Sequence, residues 1–210
     1  MEMSTIVKRP YHSPLRRAQA EETRNRILDA SLRLFATQGY AATSIAAIAR
    51  EAGVVPETVY ATFRTKRGIV DGLSVRAAPE GLVDSLRDAW AARAGDPTAQ
   101  LAYVAGFATE FWQHNDKLAE VFRHGTGEAE IGDMWAERQA DRRELFAGFV
   151  GQWPSGVLKA GVTKARAADL VWALASPDLF HLLVRVRGWP PSSYQAWLAG
   201  ALQSAVLAGS

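Results

Sequence analysis

Apolar residues recur along this chain at the spacing of helices, not of strands. In "EETRNRILDASLRLFATQGY", Ile27, Ser31, Leu34 and Phe35 fall on one stripe with Leu28 and Leu32 beside it. That stripe predicts a helix of about five turns, ended by Gly39, because glycine takes the left-handed cap conformation at little cost. In "ATSIAAIAREAG", Thr43 or Ser44 caps a second helix. Ile45, Ile48, Ala49 and Ala52 form its buried face, and Gly53 closes it. A third helix starts at Pro56, whose fixed φ and missing N–H suit a first turn, and runs to about Arg64. Thr65 caps a fourth beginning at Lys66.

The remainder reads as helix throughout. Successive segments are "PEGLVDSLRDAWAARAG", "DPTAQLAYVAGFATEFWQHN", "NDKLAEVFRHG" and "EAEIGDMWAERQADRRELFAGFVGQW". After Pro154 and Gly156 come "TKARAADLVWALA", "DLFHLLVRVRG" and "PSSYQAWLAGALQSAVLAG", with Ser176-Pro177 marking a new start or a kink. There is no internal repeat and no alternating β-branched run, so the fold class is all-α.

Two short helices joined at Gly53, the second of about two turns, match a helix-turn-helix. Ala49 lies four residues before Gly53, where a bulkier side chain would meet the incoming helix. Ile48, Val54 and Val59 fall where the two helices must touch, and Phe63 extends that contact. Burying Val59 and Phe63 turns Glu57, Thr58, Ala61 and Thr62 outward. A short helix with small polar residues at its N-terminal end suits a major groove about 12 Å wide. Tyr60 lies between the two faces, where its hydroxyl reaches a phosphate; alone, it reads equally as a half-exposed aromatic. The N-terminal amides of the fourth helix, with Lys66, form a second anion site, and Thr43 and Ser44 a third. Glu57 either accepts from a cytosine amino group or favours its helix N-terminus electrostatically.

Composition changes this picture modestly. At 210 residues the chain suits one domain or two, and its lack of cysteine fits a reducing compartment. The opening "MEMSTIVKRPYHSPLRRAQAEE" has prolines and charges where a signal peptide needs an apolar core. No uninterrupted apolar run approaches the roughly 18 residues of a membrane span. A cytoplasmic location is expected. Net charge is +2, but residues 1–76 hold 12 Lys/Arg against 7 Asp/Glu, leaving 12 against 15 beyond them. The basic end is the one suited to a polyanion. Lys8, Arg9, Arg16 and Arg17 make residues 1–20 a basic, mobile arm able to reach a minor groove. A DNA-binding domain then occupies residues 21–80, with the helix-turn-helix at about 43–62, and a helical body occupies 81–210.

All seven tryptophans lie in that body: Trp90, Trp112, Trp135, Trp153, Trp172, Trp189 and Trp197. They are ordinary core, or they enclose an apolar or aromatic small molecule. Trp112, Trp135 and Trp172 are the candidate ligand contacts. His12, His114, His124 and His181 are too scattered to suggest a metal site. There is no nucleophile elbow, phosphate loop or metal-ligand signature, so neither an enzyme nor a cofactor is expected.

The segment "TRNRILDASLRLFATQGYAATSIAAIAREAGVVPETVYATFRTKRGIV" resembles the DNA-binding domain of the TetR family of bacterial transcriptional regulators. The family pattern falls on Gly39, Tyr40, Thr43, Ile48, Ala49, Ala52, Gly53, Val54, Thr58, Tyr60, Phe63, Thr65 and Lys66. "SPDLFHLLVRVRGWPPSSYQAWLAGAL" looks like the last two helices of one branch of the family. The resemblance implies a homodimer with one DNA-reading head per subunit and a body that binds a small-molecule effector. It carries Thr43, Tyr60 and Lys66 over as phosphate contacts. Glu57, Thr58, Ala61, Thr62 and Arg64 become base or nearby backbone contacts. It also makes the last two helices a dimer seam, through Leu179, Leu182, Leu183, Val186, Tyr194, Trp197, Leu198, Ala201, Leu202 and Ala205. The implied function is a repressor that binds a palindromic operator as a dimer and is released by its effector. Val55 at the helix cap, Thr62 before Phe63 and Gly68 in the fourth helix depart from the pattern. They leave open an alternative, a small-molecule-binding protein whose head has lost DNA affinity.

Overall fold

The local signals for the first helices are met atom by atom. In the computed structural model, which describes residues 14–208 apart from 126 and 155, α1 runs Pro14–Gln38 and α2 Ile45–Ala52. The Ser44 hydroxyl accepts from the Ala47 amide at 3.1 Å, and Gly53 takes φ +66° to end α2. That turn sends the Val54 N–H to the Ala49 carbonyl at 2.9 Å. α3, Pro56–Phe63, starts on its proline with no side-chain cap from Val55. It closes at Arg64 with φ +62°. Thr65 caps α4, Lys66–Ala77, by accepting from the Gly68 amide at 2.9 Å.

The helical start at Pro14 corrects the expected arm. Arg16 and Arg17 stand exposed on the first turn of α1, while Lys8, Arg9 and His12 lie outside the described residues. Gly68 is also reinterpreted. A Cβ there would overlap the Phe63 carbonyl oxygen, so the close α3–α4 turn requires glycine rather than tolerating it.

α5 runs Leu82–Ala91. The two helices expected between 96 and 125 are one, α6, Pro97–Gly125, bent at Asn115 (φ −112°, ψ 15°). α7, Ala129–Gly151, α8, Lys164–Leu174, and α9, Pro177–Phe180, follow. α9 continues into a π-helical stretch, His181–Val186, before α10, Pro191–Val206. The β pairing among the described residues is one isolated bridge, Leu158 to Leu207. Residues 164–186 are long and apolar enough, by length and composition, to cross a membrane. They fold as three consecutive segments that pack Ala167, Ala168, Val171 and Phe180 inward.

Two apolar cores result. The body core gathers Trp90, Leu101, Phe149, Trp153, Phe180, Tyr194 and Leu198. Trp90 stacks on Phe149 at 4.6 Å, and Gln100 bridges Trp153 Nε1 at 2.6 Å to the Trp90 carbonyl at 3.1 Å. The head core joins Ile27, Phe35, Ile48, Val59, Phe63 and Val70 to Leu118, Val121, Phe122, Ile131 and Met134 from α6 and α7. The head is therefore built on the body rather than tethered to it.

Candidate nucleic-acid interface and effector cavity

Val59 and Phe63 are buried in the head core and α3 packs on α2 and α4, so it presents its other flank outward. Glu57, Tyr60, Ala61 and Arg64 are exposed, and Thr58 and Thr62 half-buried. Tyr60 is 53% exposed and projects from the flank. The Thr62 hydroxyl donates back to the Thr58 carbonyl at 2.8 Å, so its lone pairs face outward as acceptors. This flank is small, polar and convex, the shape a major groove admits.

The three anion contacts expected beside it fare differently. Thr43 is only 2% exposed, and its hydroxyl donates to the Gly39 carbonyl at 2.8 Å. It holds the α1–α2 turn and is not placed to meet a phosphate. Ser44 is exposed and caps α2. Lys66 Nζ donates to the carbonyls of Tyr40 at 2.7 Å, Thr43 at 3.2 Å and Ala41 at 3.4 Å, and sits 4.2 Å over the Tyr40 ring. An ammonium has three donors, and all three are directed into the turn. Lys66 thus braces the α1–α2 turn at the position where the family pattern implies a phosphate contact. Tyr40 carries that brace onward, its hydroxyl donating to Glu130 Oε2 at 3.1 Å in the first turn of α7. Burial, helped by Glu130, raises the Tyr40 phenol above its ordinary range.

A cavity of about 910 Å³ opens between α4, α5, α6 and α7. Its walls are mostly apolar, with Tyr103, Phe107, Phe111, Trp112, Phe122 and Trp135 among them. Of the three candidate tryptophans, Trp112 and Trp135 line it. Trp172 does not: it stands behind the wall, donating its Nε1–H to Gln139 Oε1 at 3.1 Å. Leu118, Phe122 and Trp135 face the cavity and also belong to the head core, and Ser74, Ala77 and Ala78 bring α4 itself into the lining.

The sequence pattern missed two members of this wall, Gln139 and Arg142. The missed signal was an arginine on a core stripe: positions 139, 142, 146 and 149 share one face of α7. Burial pushes the Arg142 guanidinium down to about 10, with the charge of Asp178 acting the other way. His114 Nδ1 lies 2.8 Å from the Glu110 carbonyl, and Asp116 pairs with Arg185 at 2.8 Å. Among the described residues no group of three or more His, Asp or Glu side chains is arranged to hold a metal.

The expected dimer seam divides. Tyr194, Leu198 and Leu202 have no exposed surface; they fill their own subunit's core and are not available to a partner. Leu179, Leu183, Ala201 and Ala205 are half-buried. Leu182 (52%), Val186 (61%) and Trp197 (37%) point outward. The predicted seam thus mixes core positions with outward ones, because small residues occur on either side of α10 and spacing alone does not rank its faces.

Against this geometry the comparisons are specific. Residues 27–73 match the family described as bacterial regulatory proteins, tetR family. An uncharacterized HTH-type transcriptional regulator of Bacillus subtilis (strain 168), YvkB, is 24% identical over 164 residues, 77% of this chain and 83% of that one. The HTH-type transcriptional regulator AcrR of Shigella flexneri is 30% identical over 128 residues, 59% and 58% of the two chains. Among solved structures, NalD, the secondary repressor of the MexAB-OprM multidrug efflux pump in Pseudomonas aeruginosa, superposes with a TM-score of 0.72. It is 22% identical and covers 90% of this chain and 98% of its own. SmeT of Stenotrophomonas maltophilia, in complex with triclosan, gives 0.67 at 18% identity, covering 88% and 91%. The fold and head define a helix-turn-helix DNA-binding regulator of transcription. Residues 27–73 carry the helix-turn-helix domain of the TetR family, and the chain as a whole is similar to regulators of that kind.

Proposed function

We propose that this regulator is a repressor that binds a palindromic operator as a dimer and is released when a small apolar molecule occupies the cavity. The observation that carries the reading is the double membership of Leu118, Phe122 and Trp135, which face the cavity and pack the head core at once. A molecule that moves those side chains moves the platform on which α1 and α4 rest. Two recognition helices engage one duplex face only when set about 34–36 Å apart, so a small tilt of each head disengages the pair. Leu182, Val186, Trp197 and the open face at Gly200 supply an apolar surface for the partner subunit. That NalD is a repressor and that SmeT binds triclosan are in keeping with this.

A gel shift on DNA flanking its own gene tests the reading. Expected are one sequence-specific complex of two subunits, steep loss of affinity with salt, and release by a cavity ligand. Specific binding by a monomer, or no specific complex at moderate salt, overturns it.

A further inference from the structure

The polar corner of the cavity is made of donors. Gln139 Oε1 accepts from Arg142 Nε at 3.2 Å, Arg142 Nη2 at 2.8 Å and Trp172 Nε1 at 3.1 Å. The Ala175 carbonyl accepts from Arg142 Nη1 at 3.0 Å and Trp112 Nε1 at 2.9 Å. Both acceptors are neutral and both are saturated. Of the five N–H donors of a guanidinium these bonds engage three, leaving one on each Nη. The Gln139 amide group adds two more, since its oxygen faces Arg142 and Trp172.

No described carboxylate lies within 4.0 Å of Arg142, although its neighbours are paired: Arg138 with Asp71, Arg143 with Asp169, Arg87 with Asp84. Asp178 acts on it only at longer range. The aromatic rings of Trp172 and Trp112 lie 5.5 and 6.0 Å from its Cζ and hold the guanidinium plane in place. The acids on the lining, Asp88, Asp141 and Glu144, are all exposed, where water screens them. A part-buried cation without an acid partner is an unusual expense, and its natural compensation is a ligand anion.

Building on the effector reading above, we propose that the effector is an amphipathic anion: a carboxylate received by Arg142 and Gln139, with an apolar body lying along the aromatic wall. A carboxylate's two oxygens can accept from the remaining Nη–H donors, a pairing that guanidinium favours over a neutral acceptor. A cationic amphiphile would bring its charge against Arg142, and a neutral one would leave the donors unmet.

Three probes sharing one chain separate these: decanoate, decanamide and decylammonium, each titrated against the intact protein by fluorescence of the cavity tryptophans and by calorimetry. Decanoate is expected to bind at least about tenfold more tightly than decanamide, as a charge-assisted bond in a part-buried site gives. Decylammonium is expected to be weakest. In Arg142→Gln the decanoate-to-decanamide affinity ratio is expected to fall towards one, and in Arg142→Lys to be partly retained; using the ratio cancels any general loosening of the wall. Equal affinities for the anion and the amide, or preference for decylammonium, overturn the proposal while leaving the cavity an effector site. So does a ratio unchanged in Arg142→Gln. If none of the three binds, the effector reading of the cavity falls, and this inference with it.

Discussion

Replacing Lys66 by methionine separates a brace from a phosphate contact. Methionine keeps most of the apolar stem and removes the ammonium that holds the Tyr40, Thr43 and Ala41 carbonyls. One bond, at 2.7 Å, has good geometry; the others, at 3.2 and 3.4 Å, are weaker, and the site is half-buried. A hydrogen bond to a charged group is worth about 1.5–3 kcal/mol. The ring contact with Tyr40 adds roughly 0.5 kcal/mol. After allowance for solvent, a loss of about 2 kcal/mol is expected. In a chain of this size each kcal/mol moves the melting temperature by about 2–4 °C, so Lys66→Met should melt roughly 4–8 °C lower. Calorimetry reads this directly. The companion measurement is the slope of log affinity for a DNA duplex against log salt, which a lost phosphate contact lowers by about 0.9. A lower melting temperature with an unchanged slope supports the brace. An unchanged melting temperature with the slope reduced would falsify it.

Arg64 should behave in the opposite sense. It ends α3 at φ +62°, where a side chain is strained, so Arg64→Gly is expected to raise stability by about 1 kcal/mol while lowering the salt slope, read by the same two assays. Gly68→Ala places a Cβ against the Phe63 carbonyl and should cost about 1–3 kcal/mol in urea unfolding; a neutral or stabilising result would show that the α3–α4 turn is looser than described. Tyr40 gives a pH test. Its folded-state pKa is raised, so the unfolded chain releases this proton first, and the contribution, complete below about pH 10, is lost as pH climbs past it, at up to about 1.4 kcal/mol per unit. Tyr40→Phe should therefore lose less stability than the parent between about pH 9 and pH 11; parallel curves would remove the phenol from the account.

The head was legible in the sequence because its signals are local. Ser44, Gly53, Pro56 and Thr65 act within one turn of themselves, and each sits where spacing put it. The bracing contacts of Lys66 could not be read from the sequence because their acceptors are 23 to 26 positions away, and a lysine looks the same whether it faces phosphate or carbonyl. Thr43 and Ser44 fit the α2 cap equally by spacing, and burial of Thr43 leaves that role to Ser44. The bend at Asn115 could not be read, since no proline or glycine marks it; its side chain donates to the Phe111 carbonyl at 2.9 Å instead. Arg142 was readable in principle, as a charge at a core position of α7, but only the fold says that the stripe borders a cavity. In α10 the pattern carried the period but did not separate the buried Tyr194, Leu198 and Leu202 from the exposed Trp197, because alanine and glycine fit either side.

The shared core of head and body bears on how such a protein can be recombined. Cutting the chain near residue 80 would strip Leu118, Val121, Phe122, Ile131 and Met134 from α1 and α4 and leave a greasy wound on both fragments. A chimera carrying this reading head on a foreign sensor would thus need those five side chains transplanted with it. Modularity in this molecule is drawn through the middle of α6, not at the linker between helices.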